Sequence, residues 1–351
     1  MSQFHQLTIK DITRETDKSV VLSFEVPNNL KDNFAFKAGQ YITLKTEINN
    51  QEIRRDYSLC SSPKSGQLKV AVKEVTDGTF SAYANNTLKV GDVLEVAPPK
   101  GRFVFTPNDN KTKNIAAFAA GSGITPVLSI IKCALEEEVY SKVILVYGNK
   151  STKDTMFLQE LLDLQHTYKE RFSIQFVFSQ ADEENAIFGR IEKSTVNYVM
   201  KNEHKHIKVD AFYLCGPETM IHTVKDVLTE HEITEESIHF ELFKAAKPAE
   251  VNNENIATGS TKITVVVDDE ETTFEMSQKQ TILEAALDED LDAPYSCQGG
   301  ICSSCIARIT EGEAKMRQNN ILTDNEVAEG IILTCQAHPT TPTIKVDFDD
   351  I

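Results

Sequence analysis

Apolar and polar residues alternate in three different rhythms along this chain. From Phe4 to about Phe105 there are short runs, "QLTIKDI", "SVVLSFEV", "QYITLKT", "LKVAVKEV" and "DVLEVAPP", separated by Gly, Pro, Asn and Asp turns. A period of two with regular turns predicts an antiparallel barrel. After "NDNKTK" the rhythm changes. An apolar strand, "NIAAFAA", meets a glycine loop and a helix-like run, and then come "KVILVYGN", a helix over "DTMFLQELLDLQ", "SIQFVFSQ" and "AFYLCGP". Strands alternating with helices predict a parallel sheet with helices on both faces. The stretch "KAAKPAEVNNENIATGST" has no apolar period and reads as a linker. Beyond it, "KITVVVDDEETTFEM" is two alternating strands around an acidic turn, followed by a Thr-capped helix, "TILEAALDED". The divisions fall at 1–106, 107–243, linker 244–261 and 262–351.

Composition narrows the class. A chain of 351 residues with 40% hydrophobic content suits two or three globular domains. The opening "MSQFHQLTIKDITRE" lacks the basic and apolar regions of a signal peptide, and "IAAFAAGSGITPVLSIIKCAL" is broken by Gly, Ser, Pro and Lys, so a cytoplasmic location is expected. The net charge of -17 argues against nucleic acid or an anionic membrane as partner. From Lys262 to Ile351 there are 18 acidic and 6 basic residues, so this part alone carries -12. The eight histidines include no H-x3-H or HExxH pair.

The seven cysteines are unevenly placed: Cys60, Cys133 and Cys215 are scattered, while Cys297, Cys302, Cys305 and Cys335 share one end. A secreted disulfide framework is not spaced like this. "YSCQGGICSSC" with a distant "LTCQAHP" gives the C-x4-C-x2-C and remote fourth cysteine that hold a two-iron two-sulfur cluster. Gly299, Gly300, Ser303 and Ser304 leave room and backbone N–H donors around inorganic sulfide. The alternative is a structural four-cysteine zinc site, but such sites usually show two C-x2-C knuckles, and only one is present. Residues 262–351 thus resemble a plant-type ferredoxin domain of β-grasp fold. The resemblance implies that Cys297 and Cys302 hold one iron and Cys305 and Cys335 the other.

The barrel half resembles the flavin domain of the ferredoxin-NADP reductase family. The resemblance rests on Arg55-x-Tyr57-Ser58 in "RRDYSLCSSP", on Gly78-Thr79-Phe80-Ser81, and on "PPKGRF" at the barrel's end. It implies FAD, with Arg55 neutralising pyrophosphate, Tyr57 flat against the ring, Ser58 near N5 and the Gly78 turn close to phosphate. Lys73 joins this set. In "AAGSGITPVLSI", Gly121, Gly123, Thr125 and Pro126 follow a strand and open a helix, as a dinucleotide site requires. Cys215, Gly216 and Pro217 in "YLCGPETMI" resemble residues beside the nicotinamide, with the turn of residues 121–126 under the cofactor, and Glu241 and Phe243 in "FELF" resemble residues near the flavin ring.

In that family the groups after "YG" and after the next strand choose between NADPH and NADH. Asn149, Lys150 and Ser151, with no early acidic residue, together with Ser179, lean towards NADPH, although Gln180 stands where an Arg is frequent.

The whole chain therefore resembles reductase components of multicomponent oxygenases, in particular those of phenylacetyl-CoA epoxygenases; ketosteroid hydroxylase and hybrid-cluster-protein reductases share the arrangement. The implied fold is multidomain α+β: a flavin barrel, an α/β nicotinamide domain and a β-grasp ferredoxin. The implied path runs from NAD(P)H to FAD, to the 2Fe–2S cluster, and to a one-electron protein acceptor such as an oxygenase. Two alternatives stay open: a redox sensor or binding module, and a reductase for a non-oxygenase acceptor.

Overall fold

The computed structural model describes residues 4–108, 112–243 and 259–351. Residues 4–243 form one compact unit, and the described residues from 259 onward belong to a second.

In the first unit six antiparallel strands build the barrel. They are β1 (His5–Thr16), β2 (Ser19–Glu25), β3 (Tyr41–Ile48), β4 (Gln51–Ser58), β5 (Leu68–Lys73) and β6 (Val93–Val96), with helix α1 (Thr79–Asn86) between the last two. The sheet order is β4-β3-β6-β1-β2-β5, and a bridge between Leu59 and Val70 joins the outer strands. Alternate residues such as Leu7 and Ile9 on β1 and Leu22 and Phe24 on β2 point into the core, which is why the period of two was legible. β4 is not among the expected strands. Its sequence, "QEIRRDYS", is mostly polar, and it is held by its complete ladder with β3 from Tyr41–Ser58 to Ile48–Gln51.

The α/β half comprises β7 (Ile115–Ala120), α2 (Ile124–Glu137), β8 (Val143–Asn149), α3 (Leu158–Thr167), β9 (Phe172–Phe178) and β10 (Ala186–Phe188). It continues with α4 (Lys193–Asn197), β11 (Ala211–Gly216), α5 (Glu218–Glu230) and β12 (Ile238–Leu242). All its strand pairs are parallel, in the order β10-β9-β8-β7-β11-β12. β7 is "IAAFAA", buried on both faces, and its small alanines let helices pack closely. The chain order reverses between β7 and β11, so the crevice beyond their carboxyl ends is where such sheets bind ligands. α3 starts four residues later than the pattern of "DTMFLQELLDLQ" suggests. Phe157 takes a left-handed φ of 59° to bury its ring, and its N–H donates to Glu15 at 3.0 Å, so the helix begins only at Leu158.

Barrel and sheet are tied through α2: Ser129 donates to the Ser61 carbonyl at 2.7 Å and Lys132 to the Cys60 carbonyl at 3.0 Å. Each of these bonds satisfies a buried carbonyl of the loop that follows β4.

The second unit contains β13 (Ser260–Val267), β14 (Glu270–Ser277), α6 (Ile282–Asp288), β15 (Ile306–Glu311), β16 (Ala314–Met316), α7 (Asp324–Ala328), β17 (Ile331–Leu333), β18 (Ala337–Pro339) and β19 (Thr343–Asp347). Its main sheet runs β14-β13-β19-β15-β17, with β13 and β19 parallel at the centre, and β16 pairs with β18 apart from it. α6 starts at a capping box in which Thr281 accepts from the Glu284 N–H and Glu284 accepts from the Thr281 N–H. β13 begins at Ser260, inside the stretch read as linker. Thr261 is fully buried and its hydroxyl donates to the Thr341 carbonyl at 2.7 Å. Residues 244–258 of that linker lie outside the described residues.

Candidate functional site

The carboxyl ends of β7, β11 and β12 meet the end of β4, and three of the expected residues, Ser58, Cys215 and Glu241, gather there. Cys215 is the register partner of Glu241 on β12 and of Ala119 on β7. Glu241 in turn accepts a hydrogen bond from the Ser58 hydroxyl at 3.2 Å, joining the last residue of the barrel's β4 to the α/β sheet. Burial pushes the Glu241 carboxyl up to about 8, the Ser58 hydroxyl opposes this, and Asp56 adds to it. The buried Cys215 thiol is raised too, first by burial and then by the Glu241 charge, so it stays a neutral thiol.

Gly123 lies in the turn between β7 and α2 (φ -60°, not strained). A β-carbon on it would overlap the Cys215 carbonyl and come within 2.8 Å of the Gly216 nitrogen. The site therefore needs a glycine for close approach, which locks the turn to the end of β11. Gly121 opens the same turn, and its carbonyl accepts from the Tyr147 hydroxyl at 3.0 Å. Thr125 uses its hydroxyl on the Ser122 carbonyl at 3.0 Å, and Pro126 sits in the first turn of α2, where no N–H is needed. Pro217 precedes α5 as its cap residue.

On the barrel side, Tyr57 lies 5.4 Å ring to ring from Phe80. Burial raises its phenol. Gly78 precedes α1, Thr79, Phe80 and Ser81 form its first turn, and the Ser81 hydroxyl accepts from the Val75 N–H at 3.2 Å. The Arg55 side chain is exposed and donates to the Arg54 carbonyl at 2.6 Å, leaving most of its guanidinium fork available. Lys73, at the end of β5, brings its ammonium within 3.8 Å of where a Gly121 β-carbon would stand. Its pKa is lowered by burial, with Asp154 acting against this and Lys150 adding to it, so these three charges are neighbours.

Asn149 ends β8 with both carboxamide atoms buried and without a hydrogen-bond partner. A native protein rarely leaves such a group unsatisfied, and an amide at the carboxyl edge of a parallel sheet fits a bound dinucleotide. The Ser179 hydroxyl donates to the Asn149 carbonyl at 3.3 Å, lacing the loops after β8 and β9 together. Phe243 stands just past β12 and is 36% exposed.

Two contacts here were not foreseen. Arg14 grips the far end of α1 through the Asn85 side chain at 2.9 Å and its carbonyl at 2.7 Å. Glu183 accepts from both the N–H (3.2 Å) and the hydroxyl of Thr152. Neither lies near its partner in sequence, so no local pattern announced them. A polar cavity of about 330 Å³ also opens in this unit, but none of the expected site residues lines it. Its Lys132 and Glu160 pair with each other at 2.5 Å.

In the second unit, the described residues contain no point where three His, Cys, Asp or Glu side chains converge as they would on one ion. A two-iron cluster instead splits its ligands into pairs. The Cys305 and Cys335 sulfurs are 3.3 Å apart. That is too long for a disulfide of about 2.05 Å and close to the roughly 3.7 Å that two thiolates span on one tetrahedral metal with bonds of about 2.3 Å. Cys297 is hydrogen-bonded by Cys302 and by the N–H groups of Gly299, Ile301 and Cys302, and these hold its thiol well below the usual range. Paired sulfurs under converging N–H donors fit the cluster.

Comparison with known proteins agrees with this geometry. Residues 6–105 match an oxidoreductase FAD-binding domain, 118–226 an oxidoreductase NAD-binding domain and 265–340 a 2Fe-2S iron-sulfur cluster binding domain. The chain is 34% identical over 351 residues to one of the subunits of the 1,2-phenylacetyl-CoA epoxidase of Escherichia coli (strain K12), covering 99% of each. It is also 34% identical to the ferredoxin reductase component of 3-ketosteroid-9-alpha-monooxygenase of Rhodococcus rhodochrous, over 97% of this chain and 96% of that one. Among solved structures, phthalate dioxygenase reductase superposes with a TM-score of 0.60 at 25% identity, covering 98% of both chains. No helix among the described residues is long and apolar enough to cross a membrane. The chain belongs to the family of reductase components of multicomponent oxygenases, oxidoreductases that carry electrons from NAD(P)H through FAD to a 2Fe–2S cluster within one polypeptide.

Proposed function

We propose that Ser58, Cys215 and Glu241 form the centre at which the nicotinamide meets the flavin. The observation that carries this is the 3.2 Å hydrogen bond from Ser58 to Glu241, with Cys215 beside Glu241 in the sheet. The flavin supplies the chemistry that accepts two electrons together and releases them singly. The chain's own part is to place and protect. Tyr57 offers a flat face to the ring system, Arg55 and the first turn of α1 at Gly78, Thr79 and Ser81 face its phosphates, and Phe243 flanks the outer edge. Gly121, Gly123, Thr125 and Pro126 seat the nucleotide's pyrophosphate, with Gly216 and Pro217 beneath its nicotinamide. Glu241, kept largely neutral by burial, holds a proton on its carboxyl next to the Ser58 hydroxyl. Cys297, Cys302, Cys305 and Cys335 would hold the cluster.

For the nucleotide, sequence and geometry pull in different directions. Lys150 favours NADPH, but the Ser151 hydroxyl is engaged by Asp154 at 2.7 Å and Thr152 by Glu183. Two carboxylates beside the position of a 2'-phosphate disfavour that dianion, and Asn149 with Ser179 can serve a free ribose. We read the site as one for NADH in preference to NADPH.

The electron acceptor is an oxygenase, as the names of the relatives suggest, and 34% identity over the full length favours one of the phenylacetyl-CoA type. The acidic surface of residues 262–351 suits a basic docking patch. The test is a chain cut between residues 243 and 260. It should keep FAD and still oxidise NAD(P)H with ferricyanide, yet fail to reduce the oxygenase. Full reduction of the oxygenase by the cut protein would refute a serial path.

A further inference from the structure

The loop that carries three of the four cluster cysteines bends through two left-handed residues, Gln298 (φ 49°) and Gly300 (φ 70°). Gln298 is not a glycine, so its conformation is maintained from outside at some cost. The outside group is Gln336, which directly follows the fourth cysteine. Its side chain is 8% exposed, and its carboxamide nitrogen donates to the Gln298 carbonyl at 3.0 Å. The same nitrogen lies 3.6 Å from the Cys335 sulfur, within reach of a weak N–H···S bond. Both neighbours are acceptors, so only the amide's NH2 end satisfies them, and its orientation follows from chemistry.

Two further contacts fix the residue. Its backbone N–H donates to the Leu333 carbonyl and its carbonyl accepts from Arg317, both at 2.8 Å. Its stem packs over Gly300, where an added β-carbon would stand 3.0 Å from the Gln336 γ-carbon. The side chain thus spans from the remote cysteine back to the main loop, closing a bracket that the sequence leaves open for thirty residues.

We propose that Gln336 is a positioning residue for the cluster, clamping the loop through Gln298 and tuning the reduction potential through its hydrogen bond to the Cys335 sulfur. The inference rests on the reading that the four cysteines hold a two-iron cluster. An N–H donor directed at a thiolate draws electron density from it and favours the more negative, reduced cluster. Removing the donor moves the midpoint to lower potential.

The experiment uses the full-length protein and Gln336→Leu, which keeps the volume and loses the donor. Iron and sulfide are counted first. If neither protein holds iron, the cluster reading itself fails. With iron content equal to wild type, a redox titration followed by the electron paramagnetic resonance of the reduced cluster should show a lower midpoint for Gln336→Leu, and iron should leave faster to a chelator. Equal content with an unchanged midpoint overturns the proposal. If Gln336→Leu alone loses iron, Gln336→Met, which is flexible and also lacks the donor, takes its place. On wild-type protein labelled with 15N in glutamine side chains, pulsed resonance should detect a 15N coupling to the reduced cluster, and its absence overturns the proposal whatever the variants do.

Discussion

Replacing Glu241 by Gln should make the first unit more stable as the pH rises, and the size of the gain follows from the site. The carboxyl is raised from 4.5 to about 8, chiefly by burial. Below about pH 4 both native and unfolded chains are protonated there, and the group has no pH-linked effect. Between there and about pH 8 the unfolded chain ionises while the native one resists, so wild-type stability falls at up to about 1.4 kcal/mol per pH unit. Above that window both forms are ionised and the loss is complete. The span from 4.5 to about 8 gives an upper bound of about 5 kcal/mol. A gain of several kcal/mol by about pH 9 is the expected size, within that bound. Gln has no such titration and can still bond Ser58. Urea unfolding of both proteins at about pH 5, 7 and 9 should show the advantage of the variant growing and then levelling. A difference that does not vary with pH would refute the reasoning. So would an infrared spectrum in which no protonated carboxyl is lost from the variant at about pH 7, where roughly nine-tenths of Glu241 should carry its proton.

Gly123→Ala should destabilise the first unit by about 1–3 kcal/mol in urea unfolding, because the overlap with the Cys215 carbonyl involves two backbones that must shift apart; equal stability would contradict the close approach. Glu183→Gln should improve kcat/KM for NADPH relative to NADH by several-fold, and an unchanged ratio would remove the case for NADH. Cys302→Ser should lower iron content and reduction of the oxygenase while ferricyanide reduction persists, since an alkoxide or hydroxyl is a poor match for a cluster iron. Loss of ferricyanide reduction in that variant would show the two halves to be interdependent.

The elements that the sequence made legible are those whose pattern is set by one buried face or by two. β1 alternates because one side meets the barrel core, β2 and β5 send Leu22, Phe24, Val70 and Val72 into that core while Val21 and Ala71 on their other side join the core of the α/β half, and β7, β8 and β11 are continuously apolar because both sides are covered. β4 is held by its partner strand and by the chemistry at its end, so "QEIRRDYS" carried the Arg-x-Tyr-Ser motif while hiding the strand. The late start of α3 reflects a tertiary contact from Phe157 to Glu15, 142 residues away. For the site, residues joined through backbone, such as Gly123 beneath Cys215, follow from glycine spacing and motif order. Glu183 on Thr152 and Gln336 on Gln298 are side chains reaching across loops, and no short-range pattern encodes such a reach.

The lock between Gly123 and the Cys215 carbonyl divides the nucleotide cleft into two kinds of material. Its floor is made of main chain, so it offers an engineer almost no freedom: a change at Gly123 has to be answered by a displacement of β11. Its rim, where Asp154 and Glu183 hold Ser151 and Thr152, is made of side chains on exchangeable loops. On the proposed reading of the site, point substitutions at the rim would alter cofactor preference while the main-chain floor at Cys215 and Gly123 stays untouched.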